Sequence, residues 1–197
     1  MQRRSFLLAL ASTTMSGIAL SGCGTTSTTT ATNSKTTSTE QKHKEIDAAV
    51  DASMSRLYSA IPGSRELVAK SNGMLIFPSV IAAGLGIGGE YGEGALRVNN
   101  VTEDYYNLAS VSFGLQIGAQ SKMIGFLFMT PDGLDKFRKS AGWSVGADAS
   151  VAVLKTGANG AIDVSSVTAP VIAFVLTNTG LMANLTLSGT KITRLKS

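Results

Sequence analysis

The chain has 197 residues, seventeen basic and thirteen acidic side chains, one histidine and one cysteine, with a net charge of +4. A single cysteine excludes an intrachain disulfide, and the sole histidine, His43, lies at the edge of the tether described below, which excludes His-based triads and His/Cys metal clusters in the body of the fold. Removing an N-terminal signal (below) takes away Arg3 and Arg4 and lowers the charge to +2. That balance makes no case for nucleic-acid binding, which needs a clustered basic face with stacking aromatics.

Met1-Gln2-Arg3-Arg4 is a positive n-region, and Phe6 to Leu20 is apolar but broken by Ser12, Thr13, Thr14 and Ser16. The segment is too short and too polar to span a bilayer and reads as an export signal, residues 1–22. Leu20-Ser21-Gly22-Cys23 closes it. That sequence reads as a lipobox, at which a bacterial signal is cut and the new N-terminal cysteine, Cys23, is acylated. Acyl chains contribute about 0.8 kcal/mol per buried methylene, so two or more give stable anchoring. Gly24 in place of an aspartate favours the outer membrane, facing the periplasm, over retention at the inner one. Arg3-Arg4-Ser5-Phe6-Leu7 leaves twin-arginine and ordinary secretion both open.

Residues 23–41 form the acylated cysteine and a tether. Gly24 to Thr39 is almost entirely Thr, Ser, Ala and Gly, has nothing to bury, and is expected to be disordered. The folded domain is expected over 42–197. Ile46, Val50, Met54, Leu57 and Ile61 recur at helical spacing, predicting a helix over about 43–61 that Pro62-Gly63 ends. Its polar face carries Glu45, Asp47, Asp51 and Arg56, so it is expected to pack on the domain and not on anionic lipid. Ser64 is expected to cap a short helix over 65–71.

From Met74 the period changes to two. Met74 to Phe77 is a short strand stopped by Pro78, and Gly84 to Val98 is Gly-rich and extended. Phe113-Leu115-Ile117 alternates, and Met123 to Met129 is apolar. Trp143 to Val153 forms one long alternating face. Val171 to Leu176 is apolar on both faces and hence central. Leu181 to Leu187 alternates, and Lys191 to Arg194 finishes the sheet. Thr130-Pro131-Asp132 is an N-cap, a first-turn proline and a dipole-matching acid, opening a helix of about 131–140. The fold class is α+β: short N-terminal helices, then a largely antiparallel, barrel-like sheet of seven or eight strands with one inserted helix.

Gly84-Leu85-Gly86-Ile87-Gly88-Gly89 contains a literal G-x-G-x-x-G. A dinucleotide site needs a helix to follow it, and Glu90-Tyr91-Gly92-Glu93-Gly94 continues a strand alternation instead. Glu90 and Glu93, three apart on a strand, point to opposite faces and make no acid–base pair. No constellation calls for an enzyme, a metal or another cofactor. Lys122 with Lys136, Arg138 and Lys139, the last three on the helix whose Leu134 and Phe137 face inward, are the candidate contacts to anionic headgroups. A basic side chain near an anionic surface contributes about 1 kcal/mol.

The blocks Ala69-Lys-Ser-Asn-Gly-Met-Leu-Ile-Phe-Pro78, Ala83 to Gly94, Tyr106-Asn107-Leu108 with Ser112-Phe-Gly-Leu-Gln-Ile-Gly-Ala-Gln120, and Gly146 to Val151 resemble the SYLF domain family. The resemblance spans most of residues 45–190. It implies lipid binding; fungal and animal members recognise phosphoinositides and serve endocytosis and actin assembly. Together these readings describe a lipid-anchored, non-enzymatic envelope protein that binds anionic phospholipid, or alternatively a scaffold that binds another envelope protein.

Overall fold

The computed structural model describes residues 31–114, 120–154, 162, 169–182, 187 and 189–196. Its elements in chain order are α1 (Ala31–Ala60), α2 (Ser64–Ala69), β1 (Gly73–Val98), β2 (Val101–Gly114), β3 (Gln120–Phe128), α3 (Pro131–Lys139), β4 (Trp143–Ser144), β5 (Val151–Val153), β6 (Val171–Thr177), β7 (Gly180–Leu181) and β8 (Lys191–Arg194). The eight strands form one strongly curled sheet in the order β4-β8-β2-β1-β3-β6-β5, with β7 beside β6. All pairs are antiparallel except β5 with β6. The class is α+β, as the sequence pattern indicated.

Both faces of the sheet are covered. On one, Leu134 and Phe137 of α3 close over Leu75, Phe77, Phe126, Phe128 and Trp143. Trp143 meets Phe126 and Phe137 edge-on, each at 5.5 Å between ring centroids, a favoured aromatic geometry. On the other, Ile46, Val50, Met54, Leu57 and Ile61 of α1 lie on Met74, Ile76, Met123, Leu127 and Phe174. β6 feeds both cores, Val171, Ala173 and Val175 into the first and Ile172, Phe174 and Leu176 into the second, which is why its sequence shows no alternation.

Pro78 does not stop β1. The β1–β3 register shifts between Phe77 and Val80, and a bulge is where a strand tolerates a residue with no N–H. β1 then turns back on itself. A Cβ on Gly94 would lie 2.1 Å from the Ile76 carbonyl oxygen, and one on Gly92 would lie 2.9 Å from that of Ser79. Residues that far apart on a straight strand would be roughly 45–60 Å distant, so the chain reverses between them and the two halves touch backbone to backbone. The glycine run of the G-x-G-x-x-G pairs strand-on-strand with β2, from Gly86 opposite Gly114 to Gly89 opposite Val111. No helix follows it, and the nucleotide geometry is absent.

Three other expectations change. α1 begins at Ala31, inside the stretch expected to be disordered. Once Ile46 to Ile61 dock, each added residue gains a hydrogen bond against a propensity deficit of only a few tenths of a kcal/mol for Ser or Thr. Ser64 does not cap α2; its hydroxyl donates back to the Ile61 carbonyl at 2.6 Å, while Gly63 at φ +83° makes the corner. The long face from Trp143 to Val153 is broken into β4 and β5 by a turn at Gly146, φ +87°, where the Ser144 N–H donates to the Asp148 carboxylate at 2.6 Å. α3 matches expectation: the Thr130 hydroxyl oxygen accepts from the Gly133 N–H at 3.1 Å. Residues 115–119 and 183–186, expected to alternate, lie outside the described residues.

Polar links fix the angle of α1. Arg97 of β1 pairs with Asp51 and donates to the Asp47 carbonyl. The Asp47 carboxylate accepts from Thr102 at 2.7 Å and from Tyr105 at 2.8 Å. His43 stacks on Tyr105 at 3.8 Å. Lys42 and Tyr91 both donate to the Glu93 carboxylate at 2.7 Å. Partial burial pulls Glu93 up, but these two hydrogen bonds together hold it below its ordinary value. The Tyr91 hydroxyl is pushed up to about 12, first by burial and then by Glu93, and Tyr105 to about 12 by burial and then by Asp47.

Two predictions follow from this packing. Gly94→Ala should lower stability by roughly 2–4 kcal/mol in urea unfolding, whereas Gly89→Ala, whose Cβ would meet nothing closer than 3.9 Å, should change it by under about 1 kcal/mol. Equal effects would refute the backbone contact. The tyrosine links should persist below the unfolded tyrosine value near 10 and be lost as pH rises through about 12. Absorbance at 295 nm should therefore show Tyr91 and Tyr105 ionising near pH 12 in the native protein, and all four tyrosines near pH 10 in urea.

Candidate functional site: a basic groove between α3 and β8

α3 leaves its C-terminal turn at the edge of the sheet where β8 pairs with β2. Tyr106 is opposite Arg194, and Asn107 is opposite Thr193. An open groove forms there, with Arg138, Lys139 and Ser140 on one wall, Arg194 and Lys196 on the other, and Asn107 at its base. Four cations from segments more than fifty residues apart thus share one surface.

They are not equivalent. Arg138 donates its Nε to Glu103 at 3.0 Å and its Nη1 to Asp135 at 3.4 Å. The hydrogen bonds to Glu103, before any other cause, raise its pKa. Arg194 bonds Asp104 at 2.7 Å and lies 5.9 Å from the centroid of the Tyr106 ring. Its pKa is raised first by the Tyr106 hydroxyl. Two carboxylates of β2 therefore hold the two arginines in place, and Glu103 and Asp135 between them engage the whole guanidinium fork of Arg138. Lys139 and Lys196 are exposed and make no ion pair with a described residue. They supply the uncompensated charge.

The structure places the sequence-derived candidates unevenly. Arg138 and Lys139 line the groove. Lys136 sits on the outer face of α3, largely exposed, paired with Asp132 at 2.8 Å, a surface pair of little energetic weight. Lys122 does not join them. It lies in β3, six residues or about 20 Å before Phe128, only 8% exposed, with its ammonium 2.7 Å from Glu90. Glu90 also accepts from Ser110 at 3.3 Å. A lysine so buried and paired has no free reach to a headgroup, which removes it from the candidate contacts. Glu90 and Glu93 belong to separate networks, as their spacing indicated. Cys23 lies outside the described residues. Arg194 and Lys196 were missed because nothing in a linear reading connects residues 138 and 194; the only local signal was the basic run Lys191 to Lys196.

Among the described residues, no three His, Cys, Asp or Glu side chains gather closely enough to hold a metal. No helix among them is long and apolar enough to cross a membrane. A helix and two strands meet at this cationic groove in a domain of α+β class.

Residues 109–197 match the model of a family described as Ysc84, Las17-binding protein actin regulator. This is the SYLF family that the sequence blocks resemble, and the match covers residues 109–197 of the chain. The matched segment holds the end of β2, β3, α3 and β4 to β8, and with them all four groove cations. It leaves out α1, α2 and β1. No curated protein matches the chain.

The Lys122–Glu90 pair gives a test independent of ligand. Lys122→Ala leaves a buried carboxylate without its partner and should cost roughly 3–5 kcal/mol. Lys122→Met with Glu90→Leu should recover most of that loss. A single-mutant cost below about 1 kcal/mol in denaturant unfolding would mean the pair is solvated.

Proposed function

We propose that this protein is a lipoprotein of the bacterial envelope, anchored through acylated Cys23, whose SYLF domain binds anionic phospholipid without catalysis. The observation that carries the reading is the groove itself: two arginines held in place, and two exposed lysines with no ion pair among the described residues, on a segment that matches a lipid-associated family. The two exposed lysines supply the attraction to phosphodiester charge, within the ~10 Å screening length, beside arginines that β2 carboxylates hold in place. Weak affinity is sufficient, because an anchor keeps the local lipid concentration high.

The description of the matched family as a Las17-binding actin regulator favours a second reading in which the domain is a scaffold that grips a protein. The two separate in one experiment. The mature chain carrying Cys23→Ser, and so free of acyl groups, should sediment with phosphatidylglycerol or cardiolipin vesicles at low salt and dissociate at high salt. Lys139→Glu with Lys196→Glu should weaken that binding by at least about tenfold and leave the melting temperature unchanged, since neither lysine holds a structural carboxylate. Absence of binding to any vesicle would sink the lipid reading in favour of the scaffold. In cells, a fatty-acid probe should label the natural chain and not the Cys23→Ser variant.

A further inference from the structure

Exposed apolar side chains collect at one end of one sheet face. Ile81, Tyr91 and Val111 are 52%, 50% and 60% exposed. Tyr91 is opposite Ala109 and Val111 opposite Gly89 across β1 and β2, while Ile81 is opposite Ser121 on β3. Side chains alternate along a strand. Val80 belongs to the core beneath α3, Gly92 lies against it, and Ser110 bonds Glu90 with Lys122 on that side. Their neighbours Ile81, Tyr91 and Val111 therefore lie on the opposite face, the one α1 packs on.

α1 does not cover them, but it points at them. Its links run from Asp51 with Arg97, through His43 with Tyr105, to Lys42 with Glu93. Moving toward the N-terminus of α1 is thus moving along β1 from Arg97 toward Tyr91. Beyond its first residue, Ala31, only seven residues separate the helix from Cys23, at most about 29 Å of chain. An acyl anchor on Cys23 enters the domain from the same end as the exposed apolar residues.

We propose that this end of the α1 face is the surface the domain lays on its own bilayer, with Ile81, Tyr91 and Val111 entering the interface and Lys42 among the headgroups. The inference rests on the Cys23 anchor of the proposed function. Tyr91 fits the role chemically: its ring is apolar and its hydroxyl, held by Glu93, stays at the wet side, as tyrosines at membrane interfaces do. Lys42, at the rim, is half exposed (49%) and able to snorkel toward headgroups. The basic groove stands at the level of Tyr106, five residues along β2 from Val111, roughly 17 Å.

Two valines of one strand make the test. Val111 is at the proposed contact, and Val101, 65% exposed, is ten residues away at the far end of β2, about 33 Å. Acylation blocks Cys23, so Val111→Cys and Val101→Cys each give the mature acylated chain one free thiol for an NBD fluorophore. Each is reconstituted in phosphatidylethanolamine/phosphatidylglycerol vesicles carrying doxyl-lipid quencher. The label at 111 should shift to the blue and be quenched several-fold more than the label at 101; Ile81→Cys should repeat the result from the neighbouring half of β1. Equal quenching, or stronger quenching at 101, overturns the proposal. A blue shift at 111 that grows with protein density and is not quenched by lipid assigns the patch to a second copy and also overturns it. Flotation of the unlabelled chain separates the two levels: a chain that does not float refutes the anchor itself, whereas one that floats with unquenched 111 refutes only the orientation.

Discussion

The architecture depends on the backbone contact between the two halves of β1. A strand of this length, Gly73 to Val98, must either run far beyond any domain of this size or turn back. Gly92 and Gly94 allow the second course, because a Cβ at either would occupy space held by Val80 or Ile76. The reversal brings β3 against one half of β1 and β2 against the other. The rest of the sheet is added outward from those pairs, with β6 on β3 and β8 on β2. A similar device recurs at Gly125, where the ring of its cross-strand neighbour Phe174 fills the place a side chain would take.

A curled sheet exposes two faces, and each is closed by a helix of different character. α3 is short, capped at both ends of its logic: Thr130 satisfies a first-turn N–H, and Lys136, Arg138 and Lys139 complement the C-terminal dipole. Arg138 and Lys139 also line the groove, so one local device serves both helix stability and the cationic surface. α1 is long and held by charge. Arg97 is buried against Asp47 and Asp51, and its position sets the direction in which the helix, and any anchor preceding it, leaves the domain. In the proposed reading, orientation at a membrane follows from how this helix is pinned to the sheet.

The four groove cations lie in the matched segment, whereas Asn107 at the base and the Glu103 and Asp104 that hold the arginines precede it, and the surface proposed to meet the bilayer is likewise shared between that segment and the β1 and α1 region before it. In the proposed reading, recognition of a headgroup and seating on a membrane are separate physical tasks: the first draws on the groove cations, the second on apolar area and an aromatic with one polar atom.

Local properties were legible in the sequence because they depend on neighbours along the chain. The 3.6-residue spacing from Ile46 to Ile61 placed α1 on the domain, Thr130-Pro131-Asp132 placed the start of α3, and the unbroken apolar run from Val171 marked a central strand. The short export-signal pattern ending at Cys23 was likewise a local reading, and it remains one. What only the tertiary structure decided involved partners distant in sequence. Pro78 sits at a bulge and not at a strand end, since the register against β3 slips there. Lys122 is consumed by Glu90, thirty-two residues earlier, and so leaves the basic cluster that its charge alone suggested. Arg194 and Lys196 join Arg138 and Lys139 because β8 pairs with β2. Periodicity and caps are properties of one segment; the pairing of charges and the approach of backbones are set by strand order, which no single segment contains.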